Sequence, residues 1–315
     1  MKINKKMVVS INGFPQKIHI WGTRITNPII LFVHGGPGNP FRHQIRKHLL
    51  SLTDAYTLAV YDQRGAGGSY RKMDPKDLHP EDYVKDIEGW AEWLCARYQQ
   101  KQVYLVGESW GSFIGSVALL DKPELFKAYI GYGQVVDMKA ALKIQYDETL
   151  AAVRARGLKD KEEKLLAIGE PVDGDFKAKN GLGIFYPIMY QVLEDANLPS
   201  FMKREILPFY FSIEYSLQDK IGWAKGKELL DSSRPYWGEN MPSLYNFHDF
   251  KLNYQMPYYV FQGHEDFICP WQQIPEYFER LTAPKKGYLF VDKGQHTWPF
   301  DYPEKFMEEL RKVFR

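Results

Sequence analysis

The chain has 315 residues, 44% hydrophobic and 25% charged, enough for one large domain or a domain carrying an insertion. Lys and Arg number 41 against 39 Asp and Glu, and a net charge of +2 spread along the chain leaves no basic footprint for DNA or RNA. Two cysteines, Cys95 and Cys269, make no disulfide framework, and no C-x-x-C or His-rich tract points to a metal site.

The N-terminal apolar run is only Met7-Val8-Val9, and no stretch approaches the ~20 apolar residues of a membrane span. The expectation is a cytoplasmic protein with no membrane partner. Lys17–Thr23, Pro28–His34 and Tyr56–Tyr61 read as strands. Glu81–Tyr98 reads as an amphipathic helix, since Tyr83, Ile87, Trp90, Ala91 and Leu94 recur at steps of three and four. Val103–Val106 is a short buried strand, followed by a Gly-bounded turn and the apolar stretch Phe113–Leu120. Strand and helix alternating in this way imply parallel strands joined by crossover helices.

Between about Asp137 and Tyr254 helical patterns dominate: Met138–Arg156, Lys159–Ile168, Ile184–Asp195, Phe201–Leu217 and Ile221–Leu230. The alternation then resumes with Pro257–Gln262, Gln273–Arg280, Gly287–Val291 and Glu304–Phe314. The expected organisation is a core of residues 1–136 and 255–315 with a helical cap, 137–254, inserted into it. The cap's aromatic residues, among them Tyr190, Phe201, Phe209, Phe211 and Trp223, are dense enough to line a pocket, and the alternative is that most of them form the cap's own small core.

Gly107-Glu-Ser-Trp-Gly111 fits G-x-S-x-G directly after a strand and before a helix. That turn is tight enough to hold the Ser109 hydroxyl above the sheet, and the glycines let neighbouring chains approach. A serine hydroxyl needs a base, and the base needs an orienting acid. On this strand–turn–helix arrangement the chain order is serine, acid, histidine. The acid is sought in Gly263-His-Glu-Asp266, where spacing alone leaves both Glu265 and Asp266 open. His296 is the one histidine after residue 266. His34-Gly-Gly-Pro-Gly38 follows another strand, and its glycines suit an oxyanion hole built from the N–H groups of Gly36 and Trp110.

These residues together resemble a known family. His34-Gly-Gly-Pro-Gly38, Asp62-Gln-Arg-Gly65, Gly107-Glu-Ser-Trp-Gly-Ser112 and Gly263-His-Glu-Asp-Phe-Ile-Cys-Pro270 are similar to motifs of the proline iminopeptidase family. The resemblance covers about residues 28 to 134 and 256 to the C-terminus. It implies an α/β-hydrolase fold: a mostly parallel sheet with helices on both faces and an inserted helical cap. It further implies Ser109 as nucleophile, Asp266 and His296 as its partners, and Gly36 with Trp110 as the oxyanion hole. Asp62 and Arg64 are read as fixing their loop. The implied activity is release of an N-terminal residue, often proline, from short peptides, with no metal or organic cofactor. Family enzymes hold the substrate's α-amino group with cap glutamates, and Glu214 in Phe211-Ser-Ile-Glu-Tyr-Ser216 is the candidate for that role. A carboxylesterase or amidase acting on small acyl metabolites with the same triad is the alternative.

Overall fold

The β-branched and aromatic runs pair into one eight-stranded sheet: β1 (Ile3–Ile11), β2 (Phe14–Gly22), β3 (Ile29–Val33), β4 (Thr57–Tyr61), β5 (Val103–Glu108), β6 (Phe126–Tyr132), β7 (Tyr258–Gly263) and β8 (Lys286–Val291). The computed structural model describes residues 3–194, 202–237, 246–248 and 250–314. The strand order is β1-β2-β4-β3-β5-β6-β7-β8. β1 and β2 form an antiparallel hairpin and β2 meets β4 antiparallel, while the contacts from β4 to β8 are parallel.

β3, β4 and β5 are buried along their whole length, as strands covered on both faces must be. Their side chains alternate between two apolar layers. Ile29, Leu31 and Val33 pack with Ile87, Trp90 and Leu94 of the helix Pro80–Tyr98 and with Ile114 of the helix Trp110–Asp121. Ile30 and Phe32 point the other way, toward Ile45, Leu49 and Leu52 and toward Phe306 and Leu310 of the helix Pro303–Val313. Helices thus cover both faces, and every central strand ends at the same edge of the sheet, where ligands of open α/β sheets bind.

Between β6 and β7 run the helices Met138–Ala155, Lys159–Ile168, Gly181–Leu193, Leu207–Phe211 and Leu217–Ser233. Leu142, Tyr146, Val153, Leu165, Phe185 and Met189 form an apolar cluster among the first three. The expected helix Phe201–Leu217 is two helices, and Phe201, like Asp195, lies outside the described residues. Ser212 is extended, and Ser216 starts the next helix with a capping box: its hydroxyl accepts from Asp219 N at 3.2 Å, and Asp219 Oδ2 accepts from Ser216 N at 3.1 Å. Such a reciprocal cap satisfies two orphan N–H groups, so it sets the start of the new helix.

This turn is fastened to the core by a fully buried arginine. Arg42 donates to both oxygens of Asp62, at 2.8 and 2.9 Å, and to Glu214 O at 2.9 Å, and approaches Asp219 Oδ2 at 3.3 Å. Its backbone N–H donates to Tyr215 Oη at 2.8 Å. One planar guanidinium therefore joins β4 to the 214–219 turn in bidentate geometry. Arg64 is similarly committed, to both oxygens of Asp86 at 2.8 Å.

Candidate active site

β5 delivers Ser109 at the sheet edge in a backbone conformation, φ +51° and ψ −121°, that L-residues rarely adopt. The strain is held by neighbours on both sides. Ser109 N donates to Tyr132 O at 3.0 Å, and Ser112 N returns to Ser109 O at 2.7 Å. A side chain on Gly111 would meet Val33 O at 2.3 Å, so the helix start sits directly against β3 only because that residue is glycine.

The loop after β7 carries Glu265 exposed and Asp266 buried. Asp266 Oδ1 accepts from the N–H groups of Ile268 and Cys269, both at 2.9 Å, and Oδ2 accepts from Gln262 Nε2 at 2.8 Å. His296 Nδ1 lies 3.0 Å from both oxygens of Asp266. An acid held by three donors fixes the plane and direction of the ring it faces. The ring also lies on Gly133, which has φ +53°: a Cβ there would come within 2.8 Å of His296 Cε1 and 2.9 Å of Nδ1. Gly133 follows β6, so three neighbouring strand ends supply the serine, the floor beneath the histidine and the acid.

Ser109, His296 and Gly36 line one chamber of about 240 Å³. Phe41, Phe209, Trp223, Tyr190 and Phe267 give it aromatic walls, and Glu108, Glu194 and Arg204 bring charge to it. Asp266 is buried behind His296, and Trp110 opens the helix after Ser109 with its indole N–H donating to Gln63 Oε1 at 3.1 Å. The aromatic residues of the 137–254 segment divide: Tyr190, Phe209 and Trp223 reach the chamber, Phe185 lies in the helical cluster, and Phe211 is 82% exposed.

Glu214 does not belong to this chamber, and its expected role in binding a substrate amine is corrected by its surroundings. Its carboxylate is buried against His19 Nδ1 at 2.6 Å, Arg46 Nη1 at 2.5 Å and Lys6 Nζ at 3.1 Å. Burial alone would raise the Glu214 carboxyl, but the hydrogen bonds from His19, Arg46 and Lys6 outweigh it and hold the group at about 2. Three nitrogen donors already occupy the charge that an ammonium would need. The chamber carboxylates Glu108 and Glu194 escaped the sequence reading, although Glu108 stands inside the motif that identified Ser109.

His34 opens the glycine loop and is fully buried. Its Nδ1 faces Gly35 O at 2.9 Å and its Nε2 accepts from Gln63 N at 3.1 Å, the arrangement of a neutral ring protonated on Nδ1. Burial lowers it to about 4. Cys269, beside the acid, is also buried, which pushes its thiol well up, while a hydrogen bond with Ser109 works against that rise. Among the described residues, Asp266, Cys269 and His296 have atoms within 4.8 Å of one another and so have metal-ligand spacing. Both Asp266 oxygens are committed to protein donors and the thiol is kept protonated by burial, so these groups suit hydrogen bonding better than ligation. No helix among the described residues is long and apolar enough to cross a membrane.

Residues 28–163 match a family described as alpha/beta hydrolase fold. Over 311 residues the chain is 26% identical to the probable aminopeptidase YbaC of Bacillus subtilis, covering 98% of this chain and 95% of that protein. It is 30% identical to the proline iminopeptidase of Lactobacillus helveticus over 110 residues, 35% of this chain and 36% of that enzyme. Among solved structures, 2-hydroxy-6-oxo-6-phenylhexa-2,4-dienoate hydrolase of a Rhodococcus strain superposes with a TM-score of 0.67 at 17% identity, covering 100% of both chains. A proline iminopeptidase-related protein of Thermus thermophilus does so with a TM-score of 0.66 at 17% identity, covering 98% of this chain and 96% of its own. An epoxide hydrolase mutant of Vigna radiata gives 0.62 at 19% identity over 99% and 98% of the two chains. Structural likeness at such identities shows the fold and not the substrate. Fold, family match and full-length relative together make the chain a hydrolase of the α/β-hydrolase fold, similar to aminopeptidases of the proline iminopeptidase type.

Proposed function

We propose that the protein is a serine aminopeptidase of proline iminopeptidase type, releasing an N-terminal residue from short peptides. The observation that carries this reading is the buried Asp266 carboxylate set 3.0 Å from His296 Nδ1, with His296 and the strained Ser109 on one chamber. Ser109 attacks the scissile carbonyl while His296, neutral and held by Asp266, takes its proton through Nε2 and then gives it to the leaving amine. The backbone N–H groups of Gly36 and Trp110 receive the oxyanion. Residues 137–254 act as a cap inserted into a core of 1–136 and 255–315, and the cap's aromatic residues select the acyl part. The full-length likeness to a probable aminopeptidase supports peptides over other acyl compounds.

The test is a hydrolysis panel run with wild type and Ser109→Ala: aminoacyl arylamides including proline and alanine, the same compounds N-blocked, and short acyl esters. The reading requires turnover that depends on Ser109 and on a free amine. Ester cleavage indifferent to the amine would replace it with a carboxylesterase using the same residues.

A further inference from the structure

We infer that Arg204 binds the carbonyl oxygen of the residue that leaves, so that the enzyme prefers a peptide to a simple amide of the same amino acid; this inference rests on the aminopeptidase reading. Arg204 borders the chamber that holds Ser109 and His296, and its side chain is 12% exposed. Its backbone is fixed by Gln44 Nε2, which donates to Arg204 O at 3.0 Å. At its tip the guanidinium meets acceptors only at long range: Gln295 Oε1 at 3.5 Å, Asp301 Oδ2 at 3.6 Å and Glu194 Oε1 at 3.9 Å. Its Nε is enclosed and has no hydrogen-bond partner among the described residues.

The arginines that fasten the fold are satisfied differently. Arg42 and Arg64 each hold a carboxylate bidentately, at 2.8 to 2.9 Å. That is the range of a full charge-assisted hydrogen bond, about 2.7 to 2.9 Å, and the contacts of Arg204 are all longer. Taking a guanidinium out of water without close acceptors costs free energy that a purely structural residue has no reason to bear. Arg204 has the donors of a binding site, and an oxygen entering the chamber beside it supplies the acceptor.

Gln295 immediately precedes His296, and Asp301 closes the helix Trp298–Asp301 just after it, so Arg204 stands on the histidine's side of the chamber. That is the side of the leaving group, because His296 gives its proton to the departing amine. In a peptide the next carbonyl oxygen is three bonds, roughly 3 Å, from that amine nitrogen. An amine seated against His296 therefore carries its carbonyl toward the guanidinium, and an amide with no further residue brings no such oxygen. Glu194 and Asp301 offset the charge of Arg204, so the site donates hydrogen bonds without a net positive field. It suits the neutral carbonyl of a further peptide bond better than a terminal carboxylate, which favours substrates of three residues or more.

Alanyl-alaninamide and alanine isopropylamide test this, since they share the free amine and differ on the leaving side by a carboxamide in place of a methyl group. Arg204→Gln is expected to lose roughly ten- to a hundredfold in kcat/KM on alanyl-alaninamide, the worth of a hydrogen bond from a charged donor, and much less on the isopropylamide. The ratio of the two should fall at least tenfold. Arg204→Lys keeps the charge but not the planar fork and should lower the same ratio by less. Wild type should cleave alanyl-alaninamide at least as well as alanyl-alanine. An equal fall on both amides would make Arg204 a support of the His296 segment and overturn the inference. So would an unchanged ratio, or a loss confined to alanyl-alanine, which would mean recognition of a terminal carboxylate. If neither variant folds, wild type decides: its preference for alanyl-alaninamide must exceed the ratio of the two uncatalysed hydrolysis rates, and a preference no larger than that overturns the inference. Wild type that turns over N-blocked compounds and esters as readily as free-amine substrates would remove the aminopeptidase reading itself, a result distinct from any of these.

Discussion

Replacing Glu214 by Gln tests whether this carboxylate holds the fold or the substrate. In the folded protein it stands at about 2, against about 4.5 for an ordinary glutamate, because His19, Arg46 and Lys6 donate to it in a buried site. A displacement of that size corresponds to about 3 kcal/mol of stability, which the neutral amide forfeits. Because the folded value is the depressed one, this stability is complete above about pH 4.5 and disappears as the pH falls toward about 2. The assay is thermal unfolding of wild type and Glu214→Gln at a series of pH values. At pH 7 the variant should melt roughly 5 °C or more below wild type, and the gap should close as the pH falls below about 4.5. Arg46→Ala should cost less, because that side chain is 42% exposed and water replaces much of the ion pair. An unchanged Tm joined to a selective rise in KM for free-amine substrates would refute the reasoning and return Glu214 to the substrate.

Other perturbations follow from the site. Ser109→Ala should abolish hydrolysis and labelling by a fluorophosphonate probe while leaving the Tm within a few degrees; retained turnover would discard the serine mechanism. Gly133→Ala should lower kcat at least a hundredfold, because its Cβ would meet the His296 ring at 2.8 Å and its φ is +53°. A near-normal kcat there would show that the ring has room to move. His34 is buried neutral at about 4, so the unfolded chain takes up a proton first as the pH falls from about 6.5. Wild-type Tm should therefore drop between about pH 6.5 and 4, and His34→Gln, less stable at neutral pH, should lack that part of the drop.

The parallel core was legible because its strands are covered on both faces and read as short apolar runs bounded by glycine. β1 was not, since its burial alternates weakly and Lys5, Lys6 and Val8 face solvent on a sheet edge. β6 was missed for the opposite reason: it follows the helix Trp110–Asp121 after a short proline turn, so two buried apolar segments run together. The break at Ser212 was written in Ser216-Leu-Gln-Asp219, a serine followed three residues later by an acid, but the aromatic run before it suggested one continuous helix. At the candidate site, chain order and motif context singled out Ser109 and His296. Only burial separates Asp266 from its exposed neighbour Glu265.

The surroundings of Glu214 show why local pattern alone did not place it. Glu214 lies among aromatic residues in sequence, but its surroundings are made by residues far away in the chain: Lys6 and His19 on the first hairpin and Arg46 after β3. No local pattern announces those partners. Asp219 is drawn into the same structural use by Lys17 at 2.7 Å and by Arg42 at 3.3 Å. Each of these acids meets side-chain cations contributed by other elements, and each thereby fastens the 212–219 turn to the sheet. A burial that satisfies an acid with cations stabilises the fold and removes that charge from recognition.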